Sequence, residues 1–313
     1  MKTFKPIDDA WYLTGPTAAG KSAVGLQLAQ RLNAEIISMD SMAVYRGMDI
    51  GTAKPTDHDR QLVPHHLIDV VDPNSDFSVA EYLEAAHGCV QQIRARDRQV
   101  LFVGGTPLYL KALLRGLCSG PTADWQLRER LAAEADASGP EVLHRRLSQV
   151  DPQAAARLNP KDTRRLIRAL EVHQQTGQPI SDYQRQFQNG PSGAARGVFV
   201  VNWPRAQLHQ RIGRRVDQMF ESGLVAEVRQ LVGHYGQLGR TAAQAVGYRE
   251  VAEMLRDECD LEKAMENTKT RTRQLARRQL TWFRSLAECR WIDLTEPLAS
   301  DQVAQDLLTA TAD

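Results

Sequence analysis

This sequence lacks most of the features that would place a protein immediately. Its four cysteines, Cys89, Cys118, Cys259 and Cys289, stand far apart and form no C-x-x-C pair. That spacing argues against a zinc site and against a disulfide framework, and it fits a reducing compartment. No apolar run approaches the roughly 20 residues of a membrane-spanning helix. The opening "MKTFKPIDDAWYL" has no apolar signal core. A cytoplasmic chain with no membrane partner is expected. Charge of one sign is not in excess either: 39 Lys and Arg against 38 Asp and Glu leave +1. The total therefore implies no polyanionic partner. What remains is a 313-residue globular chain, long enough for one large domain or two smaller ones.

The neutral total conceals a segregation of charge. Lys263 to Arg284 holds seven basic residues and one acid, Glu266, whereas Trp291 to Asp313 holds five acids and no base. Lys269, Arg273, Arg277 and Arg284 fall at offsets of 0, 4, 8 and 15, one stripe on a helix, with Arg271 and Arg278 beside it. Such a stripe suits RNA phosphates, although a merely solvated face looks the same. Trp282 and Phe283 either stack bases or anchor this helix.

The first third alternates short apolar runs with helical patterns, the mark of parallel βαβ units. Strands are expected at Ala10–Gly15, at Ala34–Asp40 and at "QVLFVGGTP" (Gln99–Pro107), with a helix over Lys21–Leu32 and another opened by Ser78. "HHLIDVVDP" (His65–Pro73) reads as a short strand or a loop. Between residues 122 and 196 the pattern is helical throughout, with Pro, Gly and Asp punctuation. "QFQNGPSGAARG" reads as a return linker, "VFVVNW" (Val198–Trp203) resumes the sheet, and "CRWIDL" (Cys289–Leu294) offers a last strand. The expected architecture is α/β: a parallel sheet flanked by helices, like that of P-loop nucleotide hydrolases, formed by residues 1–121 and 197–313. An all-helical insertion of 122–196 interrupts it.

One stretch carries explicit chemistry. Gly15, Pro16, Thr17, Ala18, Ala19, Gly20, Lys21 and Ser22 read G-x-x-x-x-G-K-S, between an expected strand and an expected helix. Such a loop turns backbone N–H groups toward phosphate at a helix N-terminus; Lys21 reaches the terminal oxygens and the Ser22 hydroxyl is placed to ligate Mg²⁺. The loop is thus phosphate-binding, and by itself it says nothing of the reaction. An ordinary phosphate-loop hydrolase or kinase needs a second acid at a strand end. "LFVGG" supplies Gly104, Gly105 and Thr106 instead, and the strand-end acid is Asp40. Asp40 should face the phosphate crevice, as metal ligand, general base or cap of the following turn. His65, His66, Asp69 and Asp72 match no ligand spacing and are read as structural.

Several runs occur together and in order: "GPTAAGKS", "ISMDSMAVYRGMDIGTAKP", "PHHLIDVVDP", "LFVGGTPLYLKALLRGL", "RLIRALEV", "AVGYRE" and "RQLARRQLTWFR". In this the chain resembles bacterial tRNA dimethylallyltransferases, from Trp11 to about Leu294. The resemblance implies transfer of a dimethylallyl group from dimethylallyl diphosphate to N6 of the adenosine just 3′ of the anticodon, with pyrophosphate released and Mg²⁺ required. The phosphate loop would then hold an isoprenoid diphosphate. Asp40 would be the general base, and Arg215 would lie on the diphosphate. Thr106 would meet the tRNA near the reacting base, although in isolation it reads as a helix N-cap. Contacts to the tRNA anticodon stem-loop would come from Asp40, Ser41, Met42 and Ala43, from Arg128, from Arg164, Arg165, Leu166, Ile167 and Arg168, and from Arg273 and Arg277. A monomer is expected. The competing readings are a small-molecule kinase, a nucleotide-switched RNA-binding protein (for which no N-K-x-D run is present) and a prenyltransferase of free adenine nucleotides.

Overall fold

The computed structural model describes residues 2–184 and 196–310. In chain order its elements are β1 (Thr3–Phe4), β2 (Trp11–Thr14), α1 (Lys21–Leu32), β3 (Ala34–Ser38), α2 (Asp57–Leu62), β4 (His65–His66), α3 (Val79–Arg94), β5 (Gln99–Gly104), α4 (Pro107–Arg115) and β6 (Leu117–Cys118). There follow α5 (Trp125–Ser138), α6 (Glu141–Val150), α7 (Pro152–Arg157), α8 (Thr163–Thr176), α9 (Ile180–Tyr183), β7 (Gly197–Asn202), α10 (Arg205–Glu221), α11 (Leu224–Tyr235), α12 (Tyr248–Leu255), α13 (Leu261–Arg284), β8 (Arg290–Asp293) and α14 (Ser300–Thr309).

Six strands form one sheet in the order β4-β3-β5-β2-β7-β8, and every pair is parallel. Of its strands, β2 and β3 are buried along their whole length. This is why "WYLT" and "AEIIS" lack the alternation of a half-exposed strand. The mixed α/β class expected from the sequence is the class observed. The ends of α1 fit Lys21–Leu32, and α3 starts on a capping box in which Ser78 and Glu81 bond reciprocally. A second capping box, Thr56 with Asp59, starts α2, a helix the apolar pattern did not reveal because none of its six residues is buried. The strand expected to run to Asp40 stops at Ser38, leaving Asp40 in the turn beyond.

The chain forms two compact units. One comprises residues 7–114 with the chain from 193 onward; the other comprises the N-terminal residues up to Pro6 with 115–192. The second unit holds α5 to α9 around a core of Leu127, Leu131, Leu143, Leu147, Leu166, Ile167 and Leu170. It takes in more chain than residues 122–196, because β1 pairs antiparallel with β6. The expected return linker falls on 186–197, of which 186–195 lie outside the described residues.

Candidate functional site

In the sheet unit, three strand ends meet. β2 leads into the phosphate loop and α1, β3 into Met39 and Asp40, and β5 into Gly104, Gly105 and Thr106. Ligands of open parallel sheets bind beyond these carboxyl ends. A cavity of about 390 Å³ lies there, lined by Thr17, Lys21, Ser22, Asp40, Ser41, Met42, Ala43, Thr106 and Arg215 among others. A wider cleft of about 880 Å³ shares Lys21, Ser22 and Arg215 with it and adds Ala18, Ala19, Gly20, Arg211 and Arg214. The structure thus brings together most of the sequence-predicted residues of the donor side and of the "DSMA" run.

The loop is preset for an anion. Ala18 and Gly20 both have positive φ, of 63° and 87°, a backbone that forms anion-binding concavities. Its carbonyls are engaged elsewhere: Arg211 Nε donates to Ala18 O at 3.0 Å, Trp203 Nε1 to Ala19 O at 3.0 Å, and Lys21 Nζ to Pro16 O at 2.7 Å. Arg211 also stacks 4.2 Å from the centre of the Trp203 ring. Arg215 Nη1 donates to the Thr17 hydroxyl at 3.1 Å. Burial, with the Arg215 charge second, lowers the Lys21 ammonium to about 8, against a pull upward from Asp40. Burial likewise lowers Arg215, again opposed by Asp40. Two cations held close in a partly dry site and opposed by one carboxylate are a strong attractor for diphosphate.

Asp40 is both cap and candidate base. Its Oδ1 accepts from Met42 N at 2.8 Å and Ala43 N at 3.4 Å, which closes the turn. Among the described residues no donor reaches Oδ2. Thr106 holds the same turn from the other side, its hydroxyl accepting from Ser41 N at 3.0 Å. The Thr106 carbonyl takes the first helical bond of α4, from Leu110 N, while its side chain serves the Asp40 turn rather than capping the helix. The missing strand-end acid also has a reason. A Cβ on Gly104 would lie 2.1 Å from Met39 O, and one on Gly105 would lie 2.7 Å from Gln279 Nε2. At Gly104 the Met39 backbone leaves no room for a side chain, and at Gly105 a side chain would have to displace the Gln279 amide.

A magnesium ion is compatible with this donor set in one manner only. Ser22 offers a single hydroxyl, and the described residues contain no group of three His, Cys, Asp or Glu side chains able to hold a metal. A hard ion that keeps its waters and is held chiefly by substrate phosphates fits; a protein cage does not. His65 and His66 are tied to Val63 O and Glu35 at 2.7 Å each.

The expected RNA contacts need correction. Leu166 and Ile167 are buried in the core of the helical unit, so their side chains cannot meet a partner. Arg128 and Arg168 both bond to the fully buried Glu171, Arg128 through Nε and Nη2 at 2.9 Å each. Burial alone would raise the Glu171 carboxyl, but hydrogen bonds from these two arginines outweigh it and hold it low. Arg164 and Arg165 are exposed. On α13 half of the basic residues of the stripe and its flank are neutralised: Lys269 pairs with Asp217, Arg271 with Glu250 and Arg273 with Glu266. Arg277 and Arg278 are exposed and, among the described residues, in no ion pair. Phe283 is buried and anchors the helix.

Residues without an assigned role in the sequence motifs also shape the site, notably Gln279, Tyr248 and Arg211. The motifs "AVGYRE" and "RQLARRQLTWFR" carry the first two, but their roles depend on contacts across about 200 residues and more.

Comparison with known proteins identifies a family for nearly the whole chain. The IPP transferase family model matches residues 43–286. The tRNA dimethylallyltransferase of Rhodopirellula baltica is 48% identical, over 96% of this chain and 93% of its own length. That of Geobacter metallireducens is 46% identical, over 89% and 90%. Among solved structures, a full-length tRNA isopentenylpyrophosphate transferase from Bacillus halodurans superposes with TM-score 0.70 at 37% identity, covering 98% of this chain and 97% of that one. A eukaryotic dimethylallyltransferase acting on tRNA gives 0.76 at 26% identity, covering 96% and 79%.

Proposed function

The chain belongs to the IPP transferase family, and from that premise we propose how its own residues perform prenyl transfer. It is an enzyme that transfers a prenyl group to an adenosine of tRNA. In our reading the donor is dimethylallyl diphosphate and the acceptor atom is N6 of the adenosine 3′-adjacent to the anticodon. The observation that carries this is the convergence of Lys21, Arg215, Asp40 and Thr106 on one cavity.

The diphosphate lies on the loop amides between Lys21 and Arg215. As the allylic C–O bond breaks, negative charge grows on the departing pyrophosphate, and these cations stabilise that charge more than they stabilise the bound donor. The Ser22 hydroxyl would hold a Mg²⁺ ion, whose charge would add to the neutralisation of the leaving group. The adenine N6 forms the new bond to the allylic carbon, and its proton passes to Asp40 Oδ2. The Met42 amide on Oδ1 and the Thr106 hydroxyl on Ser41 keep that carboxylate aimed. A base inside a loop must leave its stack to reach such a cavity. Exposed Arg164, Arg165, Arg277 and Arg278 supply phosphate contacts in this reading. In this reading the enzyme works as a monomer, in the cytoplasm, on its tRNA.

The test incubates the protein with Mg²⁺, dimethylallyl diphosphate and unmodified tRNA bearing adenosine after the anticodon, with ATP and free AMP in parallel. Prenyl mass on that one adenosine, pyrophosphate release and near-silence of Asp40→Ala are expected. Phosphate release from ATP without tRNA product would return the loop to a kinase or switch, and prenylated AMP alone would move the acceptor to free nucleotides.

A further inference from the structure

Gln279 is 7% exposed and sits on α13, far in sequence from the groups it touches. Its Oε1 accepts from Thr17 N in the phosphate loop at 2.9 Å, and its Nε2 donates to Gly105 O beyond β5 at 2.7 Å. The partners fix the amide's orientation, since one is only a donor and the other only an acceptor. An uncharged side chain of this length that both gives and receives is an amide. The contact is tight, as a Cβ on Gly105 would meet Gln279 Nε2 at 2.7 Å and Lys21 Nζ at 3.5 Å. The amide therefore lies beside the loop lysine.

We propose that Gln279 is a positioning residue for prenyl transfer, a clamp that sets the phosphate loop in register with the Gly105–Thr106 wall. On one side of it, Thr17 receives Arg215; on the other, Thr106 holds the Asp40 turn. The clamp thus joins the groups that hold the leaving diphosphate to the groups that take the adenine proton. Registration of two reactants contributes heavily to rate, and small misplacements cost much of it. The inference rests on the prenyl-transfer reading for its catalytic consequence, but its effect on diphosphate binding can be measured without it.

Two variants test the clamp. Gln279→Met keeps the shape and removes both bonds. Gln279→Glu keeps the acceptor, removes the donor and places a carboxylate near Lys21. With melting curves recorded for each, Gln279→Met should lower kcat at saturating donor and tRNA by about tenfold or more while leaving tRNA affinity unchanged. Gln279→Glu, which keeps the Thr17 bond but sets a carboxylate against the Gly105 carbonyl, should lower kcat by a similar factor, again with tRNA affinity unchanged. Wild-type kcat in both variants overturns the proposal. If Gln279→Met is too unstable to assay, kcat of Gln279→Glu decides alone. If the native chain prenylates no tRNA, pyrophosphate affinity, read by calorimetry at one fixed pH, still tests the clamp on the loop: Gln279→Met should weaken it several-fold, and an unchanged affinity overturns the clamp.

Discussion

Gly51 and Tyr248 are packed so closely that a Cβ on the glycine would lie 2.2 Å from the tyrosine ring. The Gly51 amide donates to the Tyr248 hydroxyl at 3.2 Å, and that hydroxyl donates to Glu227 Oε1 at 2.5 Å. Glu227 Oε2 takes the amides of Asp49 and Ile50 at 3.1 and 2.9 Å. Three consecutive amides of the "DIG" run are thus held by two side chains from distant helices. On the same run, Lys54 bonds to Tyr45 O, Asp49 and Asp69.

Gly51→Ala must displace the Tyr248 ring and so loosen the whole run. A stability loss of about 1–3 kcal/mol is expected, as for other overpacked sites, with a fall in turnover because Tyr248 lines the cavity. Tyr248→Phe, which leaves room for the glycine and removes only the hydroxyl, should cost about 1–2 kcal/mol. Urea midpoints measure both; an unchanged midpoint for Gly51→Ala would show that the ring moves freely.

Lys21 governs a pH response. With its ammonium lowered to about 8 in the free protein, the lysine is charged at neutral pH. Bound diphosphate favours the charged form, so the bound lysine titrates higher. Affinity for pyrophosphate should be level below about pH 8 and fall by up to about tenfold per unit above it. Lys21→Arg stays charged and should flatten that fall. Stability takes the opposite sign. Between about 8 and 10.5 the unfolded lysine binds more protons than the folded one, so Lys21 contributes stability that rises with pH across that window. Calorimetry and urea midpoints from about pH 6.5 to about 9.5 check both signs.

Asp40→Asn separates the two roles of Asp40. Asparagine keeps an Oδ1 for the Met42 and Ala43 amides, so the melting temperature should stay near that of the parent. The proton acceptor is lost, and kcat should drop by about 100- to 10,000-fold. Asp40→Ala should lose the cap as well and melt lower. Retention of kcat within a few-fold in Asp40→Asn would remove Asp40 as the base.

The arginines of the helical unit divide into two kinds. Arg164→Ala with Arg165→Ala should weaken tRNA binding without a change in melting. The slope of log affinity against log salt should also fall, by about one for each phosphate that no longer meets a cation. Arg168→Ala should instead destabilise the unit by about 1–3 kcal/mol, because it strips a partner from buried Glu171. Leu166→Ala should cost about 2–5 kcal/mol through the cavity it leaves. A filter-binding salt series and thermal melts distinguish these outcomes.

Much of the donor side is legible in the chain itself. Lys21, Ser22 and Asp40 follow local rules: a G-x-x-x-x-G-K-S turn preceding a helix, and an acid just past an apolar strand. The RNA side is legible only as charge. Counting arginines on one helix face takes no account of nearby acids: Asp217 from α10 and Glu250 from α12, with Glu266 of α13 itself, pair with three of the six basic residues of the stripe and its flank. Arg128 and Arg168, expected at the tRNA from the resemblance, are only partly exposed because both bond to a buried carboxylate.

By itself the sequence determined the elements whose signals lie within a few residues. The unbroken apolar runs of β2 and β3 require a sheet covered on both faces, the Ser78–Glu81 box starts α3, and the G-x-x-x-x-G-K-S turn leads directly into α1. Only the tertiary structure decided why glycine stands at 51, 104 and 105, why a glutamine stands at 279, and which cations remain available to a partner. Each of these depends on an atom brought within hydrogen-bond or contact distance from elsewhere in the chain. Such a distance is set by how strands and helices pack, not by the neighbours of a residue along the sequence.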